Sequence, residues 1–486
     1  MKDTNDFHRA LIFQGGGSLG AYEAGAYKAF YELLSERDKK IGREDHNLFD
    51  IVAGTSIGSM NAAVLVSYVK ENKSWHGSAE RLIEFWEYMG TDSLIDKTPG
   101  FNEWWDYWHH FNNNLATGES ARRYYSTKRF MFEGVPNVFH PSKTLEDSRF
   151  LDPSNTRYLY SNEPLKRSLE KFANFPITTS YQEKEPRLLL VALDVLEGVP
   201  VVFDSYEKAD GTRKTEYGQY GPEFASGANK HEDYEYVIRY DRGIEVDFVL
   251  ASGSVPVNYD YTRLLVEHHT SQRKIENEDE KVAHKNNAVT ENRRCFWDGG
   301  IIANTPLRDT ILEHRRYWHY VRKSNPPLLR AAIVNVHPIR QDTLPSNYDA
   351  LVDRKNDLTY HDRTLFDERM VTMLTDYLDI IDRLVKLAQA NGVAKASLDE
   401  IFKEQALTRN FLTGKPGTYH DLVEDMVRMD LVFRIERKND VHTISNKTFD
   451  FSDTTISQLI KDGYEETLDQ GSKKMQQWDS ERRANN

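Results

Sequence analysis

Cysteine is almost absent from this sequence, since Cys295 is the single one among 486 residues. One cysteine excludes an intramolecular disulfide and a zinc site built from several thiolates. Basic residues are also in deficit, because 63 Lys and Arg stand against 76 Asp and Glu and the formal net charge is −13. A basic footprint for nucleic acid is therefore missing, and we expect no nucleic-acid partner.

Long apolar runs are missing as well. Residues 1–17 lack the apolar stretch and small-residue cleavage site of a signal peptide, and no later run is long enough to cross a membrane. We therefore expect a cytoplasmic protein. Peripheral contact with a membrane stays open, because acyl chains are bound through apolar area and do not require positive charge.

The chain begins with two strand–turn–helix units. Residues 9–13 (RALIF) predict a strand, and residues 21–36 carry apolar side chains at spacings of three and four, which predicts a helix. Residues 49–56 predict a second strand and turn, which a helix rich in small residues follows. Strands that alternate with helices indicate an α/β protein with a mostly parallel central sheet.

Further regions complete the predicted organisation. We interpret residues 75–185 as a helical insertion, and we favour a packed lid or insertion core for the aromatic cluster at residues 101–111 over an acyl pocket or a membrane-contacting surface. The almost wholly polar residues 268–293 predict an exposed loop. Residues 1–350 are thus predicted to form the main domain. Residues 351–486 are predicted to form a C-terminal α+β extension of unknown role, made of helices and a hairpin within residues 431–452.

The segment Gly54-Thr55-Ser56-Ile57-Gly58 follows the second predicted strand. A serine between glycines at this spacing allows a sharp strand-to-helix turn that exposes its hydroxyl group. The small residues Gly54 and Gly58 are needed because such a turn crowds its neighbours. An ordinary tight turn has the same pattern, but the strand before it and the helix after it favour Ser56 as a nucleophile.

A second glycine-rich segment, Gln14–Gly20 (QGGGSLG), joins the first strand to the first helix. The backbone N–H groups of Gly15, Gly16 and Gly17 can converge at the helix N-terminus, where partial positive charge collects. Such a pocket suits a dinucleotide phosphate or the oxyanion of acyl transfer. The second strand ends in the serine turn and offers no acidic ribose ligand, which favours the oxyanion hole.

A third segment, Asp298-Gly299-Gly300, follows the strand-like residues 294–297 (RCFW). A carboxylate at a strand end can approach a serine closely when Gly299 and Gly300 add no side-chain bulk beside it. Asp-Gly is also one of the commonest turn signals, so this segment indicates a site only together with the other two.

In this order, the three segments resemble the patatin-like phospholipase family, with its GGG-x-x-G loop, G-T-S-x-G elbow and D-G-G turn. The resemblance spans roughly residues 9–340 and includes softer matches at residues 188–204 and 250–259. It implies a three-layer α/β/α sandwich that hydrolyses fatty-acyl esters of phospholipids or other acylglycerols. It implies Ser56 as nucleophile, Asp298 as base, an oxyanion hole at Gly15–Gly17, and no metal or cofactor.

Alternatives stay open at this point. The same residues serve an esterase or acyltransferase that acts on small soluble esters, and a catalytically idle member of the fold would act as an interaction module. His337 ends a buried-type strand and is the candidate for a triad, but we interpret it as a structural histidine. The sequence predicts no oligomeric state.

Overall fold

The computed structural model describes residues 7–91, 119–142, 154, 156–218, 232–274, 283–409, 416–424, 426–438 and 444–484. The aromatic cluster predicted at residues 101–111 lies outside the described residues. Within the range predicted as a helical insertion, the described residues form three helices, Ser78–Met89, Glu119–Glu133 and Glu163–Phe172.

The strands are β1 (Phe7–Phe13), β2 (Ile51–Thr55), β3 (His140–Pro141), β4 (Tyr160–Ser161), β5 (Arg187–Asp194), β6 (Val199–Asp204), β7 (Lys214–Tyr217), β8 (Glu232–Arg239), β9 (Thr262–Lys274), β10 (Ala283–Asp298), β11 (Leu328–Asn335), β12 (Gln405–Arg409), β13 (Pro416–Thr418) and β14 (Met429–Glu436).

The helices are α1 (Gly20–Ile41), α2 (Ile57–Asn72), α3 (Ser78–Met89), α4 (Glu119–Glu133), α5 (Glu163–Phe172), α6 (Val246–Ser252), α7 (Gly300–Ala303), α8 (Leu307–Arg316), α9 (Tyr348–Tyr360), α10 (Leu365–Ala390), α11 (Lys395–Lys403), α12 (Tyr419–Val423) and α13 (Asp453–Ala484). Short 3₁₀ helices lie at Gly17–Leu19 and Lys447–Phe449, and a π-helix lies at Tyr317–Arg322. No helix of the described ranges combines the length and apolarity that crossing a membrane requires.

One large sheet has the strand order β14-β11-β1-β2-β5-β10-β9-β8-β7, with β6 also paired to β5. Neighbours from β14 to β5 run parallel, and the strands beyond β5 extend the sheet with antiparallel pairs. The predicted α/β class is therefore confirmed. The turns that carry the candidate residues follow the parallel strands β1 and β2 and the strand β10, which pairs with β5.

The core lies on both faces of the parallel strands. In β1, Leu11 and Phe13 join the core that includes α1 and α2, while Ala10 and Ile12 join a second core on the opposite face. This alternation explains why β1 reads as a continuous apolar run, because a parallel strand covered on both faces has no solvent side. The helices of both faces thus hold the strand ends in fixed positions.

The structure differs from the sequence prediction in two regions. Residues 268–293, predicted as a loop, belong largely to the antiparallel pair β9–β10, whose register runs from Lys274–Ala283 to Thr262–Phe296. Polar strands are tolerated there because an antiparallel sheet can face water. The hairpin predicted within residues 431–452 is also wrong. Its first part is β14, which joins β11 in parallel at the sheet edge because Val432, Phe433 and Ile435 are buried there.

Candidate active site

Ser56 lies in a strained turn between β2 and α2. Its backbone has φ 56° and ψ −127°, and residues other than glycine rarely adopt a positive φ. A side chain at Gly54 would collide with the Gly58 carbonyl, and a Cβ at Gly58 would lie 2.7 Å from the Phe13 carbonyl oxygen. Both glycines are therefore required by close backbone approach, and strain of this kind clusters at functional sites.

Hydrogen bonds hold the strained turn in place. The Ser56 backbone N–H donates to the Ser252 hydroxyl at 3.1 Å, and that hydroxyl donates to the Val191 carbonyl at 2.6 Å. The Ser56 carbonyl accepts from the Ser59 N–H at 3.0 Å as α2 begins. Ser252 was not singled out from the sequence, although it ends the apolar helix α6 at a Ser-Gly-Ser turn.

Asp298 is brought to Ser56 by the end of β10, where it lies opposite Ala192 of β5. Its carboxylate accepts a hydrogen bond from the Gly300 N–H at 2.7 Å, and the Ser56 side chain lies close enough to lower the pKa of the carboxylate. The predicted pair of Ser56 and Asp298 thus forms one contact. A side chain at Gly299 would collide with the Val191 carbonyl, so the turn after Asp298 also depends on glycine.

The pKa of Asp298 is raised to about 6, chiefly because burial disfavours the charged carboxylate. The hydrogen bonds from Ser56 and Gly300 act in the opposite direction. Only 4 % of Asp298 is exposed, and its charge adds to burial in raising the pKa values of Tyr259 and Tyr360 nearby. A carboxylate with this pKa is a stronger base than an exposed one and is still ionised at neutral pH.

The glycine loop lies directly beside the serine. A Cβ at Gly15 would lie 2.9 Å from the Ser56 Cβ, so only glycine fits at this contact. The Gly15 N–H donates to the Asn304 carbonyl at 3.2 Å, which does not fit the donor role predicted for it. Among the described residues, no acceptor takes the N–H group of Gly16 or Gly17. These two remain candidate oxyanion donors.

The side chain of Gln14 holds the glycine loop in place. This role was not predicted from the sequence. Its side-chain amide donates to the Thr305 hydroxyl at 3.0 Å and accepts from the Val336 N–H at 2.8 Å. Its own N–H donates to the buried Glu23 carboxylate at 2.7 Å. The sequence signal was its position before the glycines, but the partners lie hundreds of residues away or in the next helix.

Residues from the C-terminal part of the chain cover the same loop. The Lys447 carbonyl accepts a hydrogen bond from the Ser18 hydroxyl at 2.8 Å. A Cβ at Gly17, whose φ is +58°, would lie 2.5 Å from the Thr448 carbonyl oxygen. The Tyr360 carbonyl accepts from the Asn304 side chain at 2.6 Å. The loop is therefore shaped by residues that follow the main predicted domain.

His337 lies behind the loop, with its Nδ1 3.1 Å from the Asp357 carboxylate. Burial is the main cause that lowers its pKa, and Asp357 in turn pairs with Lys447. Within the described part of the chain, no hydrogen bond joins His337 to Ser56 or Asp298. The geometry therefore favours a serine–aspartate pair over a triad.

We expect His337→Ala to retain turnover within about tenfold of wild type and to lower the melting temperature, because a buried hydrogen bond worth about 1–3 kcal/mol is lost. Steady-state ester hydrolysis and thermal unfolding measure the two effects separately. A folded His337→Ala protein that is as inactive as a Ser56 variant would show that histidine takes part in the chemistry.

One of the three comparisons with known proteins assigns a family to the chain. A family model described as patatin-like phospholipase matches residues 11–311, a range that contains the glycine loop, the elbow and the aspartate turn. A comparison with curated proteins finds no match. Among solved structures, VipD from Legionella pneumophila is matched with 11% identity and a TM-score of 0.27, over 96% of this chain and 67% of that chain. A likeness at that score carries no argument here.

Proposed function

The chain belongs to the patatin-like phospholipase family, whose members are lipid acyl hydrolases, and on this premise we propose that it cleaves fatty-acyl esters of phospholipids or other acylglycerols through an acyl-enzyme on Ser56. The observation that carries the proposal is the position of the Ser56 side chain, at a strained elbow, beside the buried Asp298 carboxylate, whose pKa it lowers. That pair supplies a nucleophile and a base in direct contact.

In the first half of the reaction, the Ser56 hydroxyl oxygen attacks the ester carbonyl carbon while its proton passes to Asp298. The tetrahedral intermediate then collapses, the bond to the alcohol breaks, and Asp298 returns the proton to the leaving alcohol oxygen. In the second half, Asp298 takes a proton from water, which attacks the acyl-serine ester. Release of the fatty acid returns the proton to Ser56.

The negative charge that develops on the carbonyl oxygen needs donors, because a carboxylate alone is a modest base for a hydroxyl group. We assign this role to the N–H groups of Gly16 and Gly17, which have no acceptor among the described residues and lie at the start of the 3₁₀ helix that leads into α1. One well-placed donor is worth about 3 kcal/mol of barrier.

We expect Gly17→Ala to lower kcat by about 10²–10³-fold, because an added Cβ meets the Thr448 carbonyl and displaces the donor. Gly42→Ala is the matched control, since Gly42 has the similar φ of +68° but nothing within 4 Å of an added Cβ. Equal activity of the two variants would argue against the oxyanion role of this loop. Circular dichroism of both variants checks that they fold.

We expect kcat/KM to rise with pH through a single limb with a midpoint at about pH 6 and then to level off. The sign follows from the role of Asp298, which accepts a proton only when ionised and whose pKa is raised to about 6 by burial. Initial rates on a soluble ester across the pH range, with stability checked at each pH, give the profile. A profile with no inflection near that value would contradict the assignment of the base.

Two exposed apolar side chains next to the aspartate turn support a lipid substrate. Ile301 and Ile302 follow the aspartate turn directly, and their side chains are 44% and 50% exposed. Apolar area at the mouth of a site binds acyl chains in proportion to the methylene groups buried. We therefore expect kcat/KM to increase from butyrate to octanoate and laurate esters of p-nitrophenol, with Ser56→Ala as the blank. A preference for butyrate would favour the small-ester alternative.

A further inference from the structure

Helix α10 exposes a continuous apolar stripe. Phe366, Met373, Tyr377, Ile380, Leu384 and Leu387 are between 39% and 70% exposed. Together with the half-buried Met370 they follow one another at alternating spacings of four and three. This is the heptad pattern of a coiled-coil seam, with Met370, Tyr377 and Leu384 at a positions. The stripe extends over 21 residue steps, which is about 31 Å of helix.

The stripe is not the face through which α10 packs on its own chain. That face carries Val371, Thr375 and Leu378, which contact the core beside β14. Arg428 forms ion pairs with Asp379 and Asp382 of α10, both at 2.7 Å, which hold the helix against the residues that precede β14. The helix thus has a second apolar face that no described residue covers.

We propose that this face binds α10 of a second copy of the chain, so that the two helices form an antiparallel coiled coil about a twofold axis. A twofold contact uses the same patch on both copies, which suits a single self-complementary stripe. In this arrangement, Tyr377 of one copy packs in the layer of Ile380 of the other.

The flanking positions favour the antiparallel orientation. The e positions on one flank include the half-buried Leu374 and Ile381, and the g positions on the other include the exposed Asp376 and Arg383. In an antiparallel coiled coil, e positions of one helix face e positions of the other, and g positions face g positions. Leu374 therefore contacts Ile381 of the second copy, and Asp376 pairs with Arg383 of the second copy. The twofold axis makes each of these contacts occur twice. Parallel helices would instead place these charges against apolar e positions.

The charge of α10 also favours a second copy over a lipid surface. The helix carries five acidic and three basic residues. Helices that lie in a membrane interface are typically rich in Lys and Arg on the polar face, which α10 is not. Within the described residues, no ion pair occupies Asp376 or Arg383, so both are available to an equivalent helix.

Charge reversal tests the proposal on the full-length chain. Sedimentation equilibrium is expected to show a wild-type dimer. Asp376→Arg alone or Arg383→Asp alone places like charges at both symmetric contacts, and we expect each variant to dimerise about tenfold more weakly. An equimolar mixture of the two variants restores both opposite-charge pairs, so a heterodimer of wild-type affinity is expected.

The controls separate this inference from the proposed function. Lys386→Glu reverses an exposed charge outside the seam and should leave the dimer intact. Hydrolysis of a soluble ester should be unchanged in all these variants, which shows that they fold. A monomeric wild type, variants that dimerise like wild type, or a mixture that stays monomeric would each overturn the proposal. So would a monomer that binds phosphatidylcholine vesicles through this stripe.

Discussion

Ser56→Ala is expected to lower kcat by about 10⁴–10⁶-fold on every ester that the wild type hydrolyses. The hydroxyl at the elbow is the atom that forms the acyl-enzyme, and no other described side chain contacts Asp298 in a way that could replace it. Alanine removes one oxygen and keeps the backbone bonds to Ser252 and Ser59, so the melting temperature should change little.

The matched control for this prediction is Ser67→Ala. Ser67 is a buried serine of α2, the helix that follows Ser56, but it lies about three turns further along that helix and its hydroxyl donates to Glu71. It should remain active. Residual activity in Ser56→Ala that exceeds about a thousandth of wild type, in a preparation free of contaminating esterase, would mean that another group attacks the ester.

Asp298→Asn is expected to lose about 10⁴-fold in kcat and to be more stable than wild type at neutral pH. The amide keeps the shape and can accept from the Gly300 N–H, but it cannot accept the serine proton. Because the folded pKa of about 6 lies above the value of about 3.9 for a free aspartate, the native state holds the proton more tightly. Ionisation therefore costs stability as pH rises through about 6.

The size and the pH window of this gain follow from the shift. A change of about two pKa units corresponds to about 3 kcal/mol in the free energy of unfolding. We expect Asp298→Asn to be more stable than wild type by this amount above about pH 7, and to show no such gain near pH 4. Thermal unfolding at both pH values measures it. Asp309→Asn is the control, because burial also raises the pKa of Asp309 to about 6 but α8 places it outside the dyad contact. It should gain stability and keep its activity.

The pairing of Ser56 with Asp298 could be predicted from sequence because each residue lies in a short segment that is marked by glycines. Gly54 is required by a contact within its own turn, whereas Gly58 and Gly299 are required by the neighbouring strands β1 and β5, but in each case the requirement leaves a glycine at a fixed place in a short segment. The strand and helix around Ser56 were also predicted, since apolar runs and small-residue helices have distinct periodicities.

The parts that sequence did not predict depend on distant pairing. The clamp formed by Gln14, the occupied N–H of Gly15 and the cover by Thr448 all involve partners far along the chain. The sequence of β14 predicts a strand of a hairpin, because its alternating apolar and polar residues indicate a strand but do not indicate with which strand it pairs. The composition of β9–β10 predicts a loop because it is almost wholly polar, and composition does not show that the two strands pair with each other.

The most direct test of the account is labelling of the wild type with a fluorophosphonate, followed by peptide mass spectrometry. The serine oxygen would displace fluoride from phosphorus, so the account predicts one phosphonylated peptide per chain, modified at Ser56, with labelling lost in Ser56→Ala and strongly slowed in Asp298→Asn. A folded wild type that takes up no label, or that is labelled at another residue while Ser56 stays free, would contradict the claim that Ser56 is an activated nucleophile.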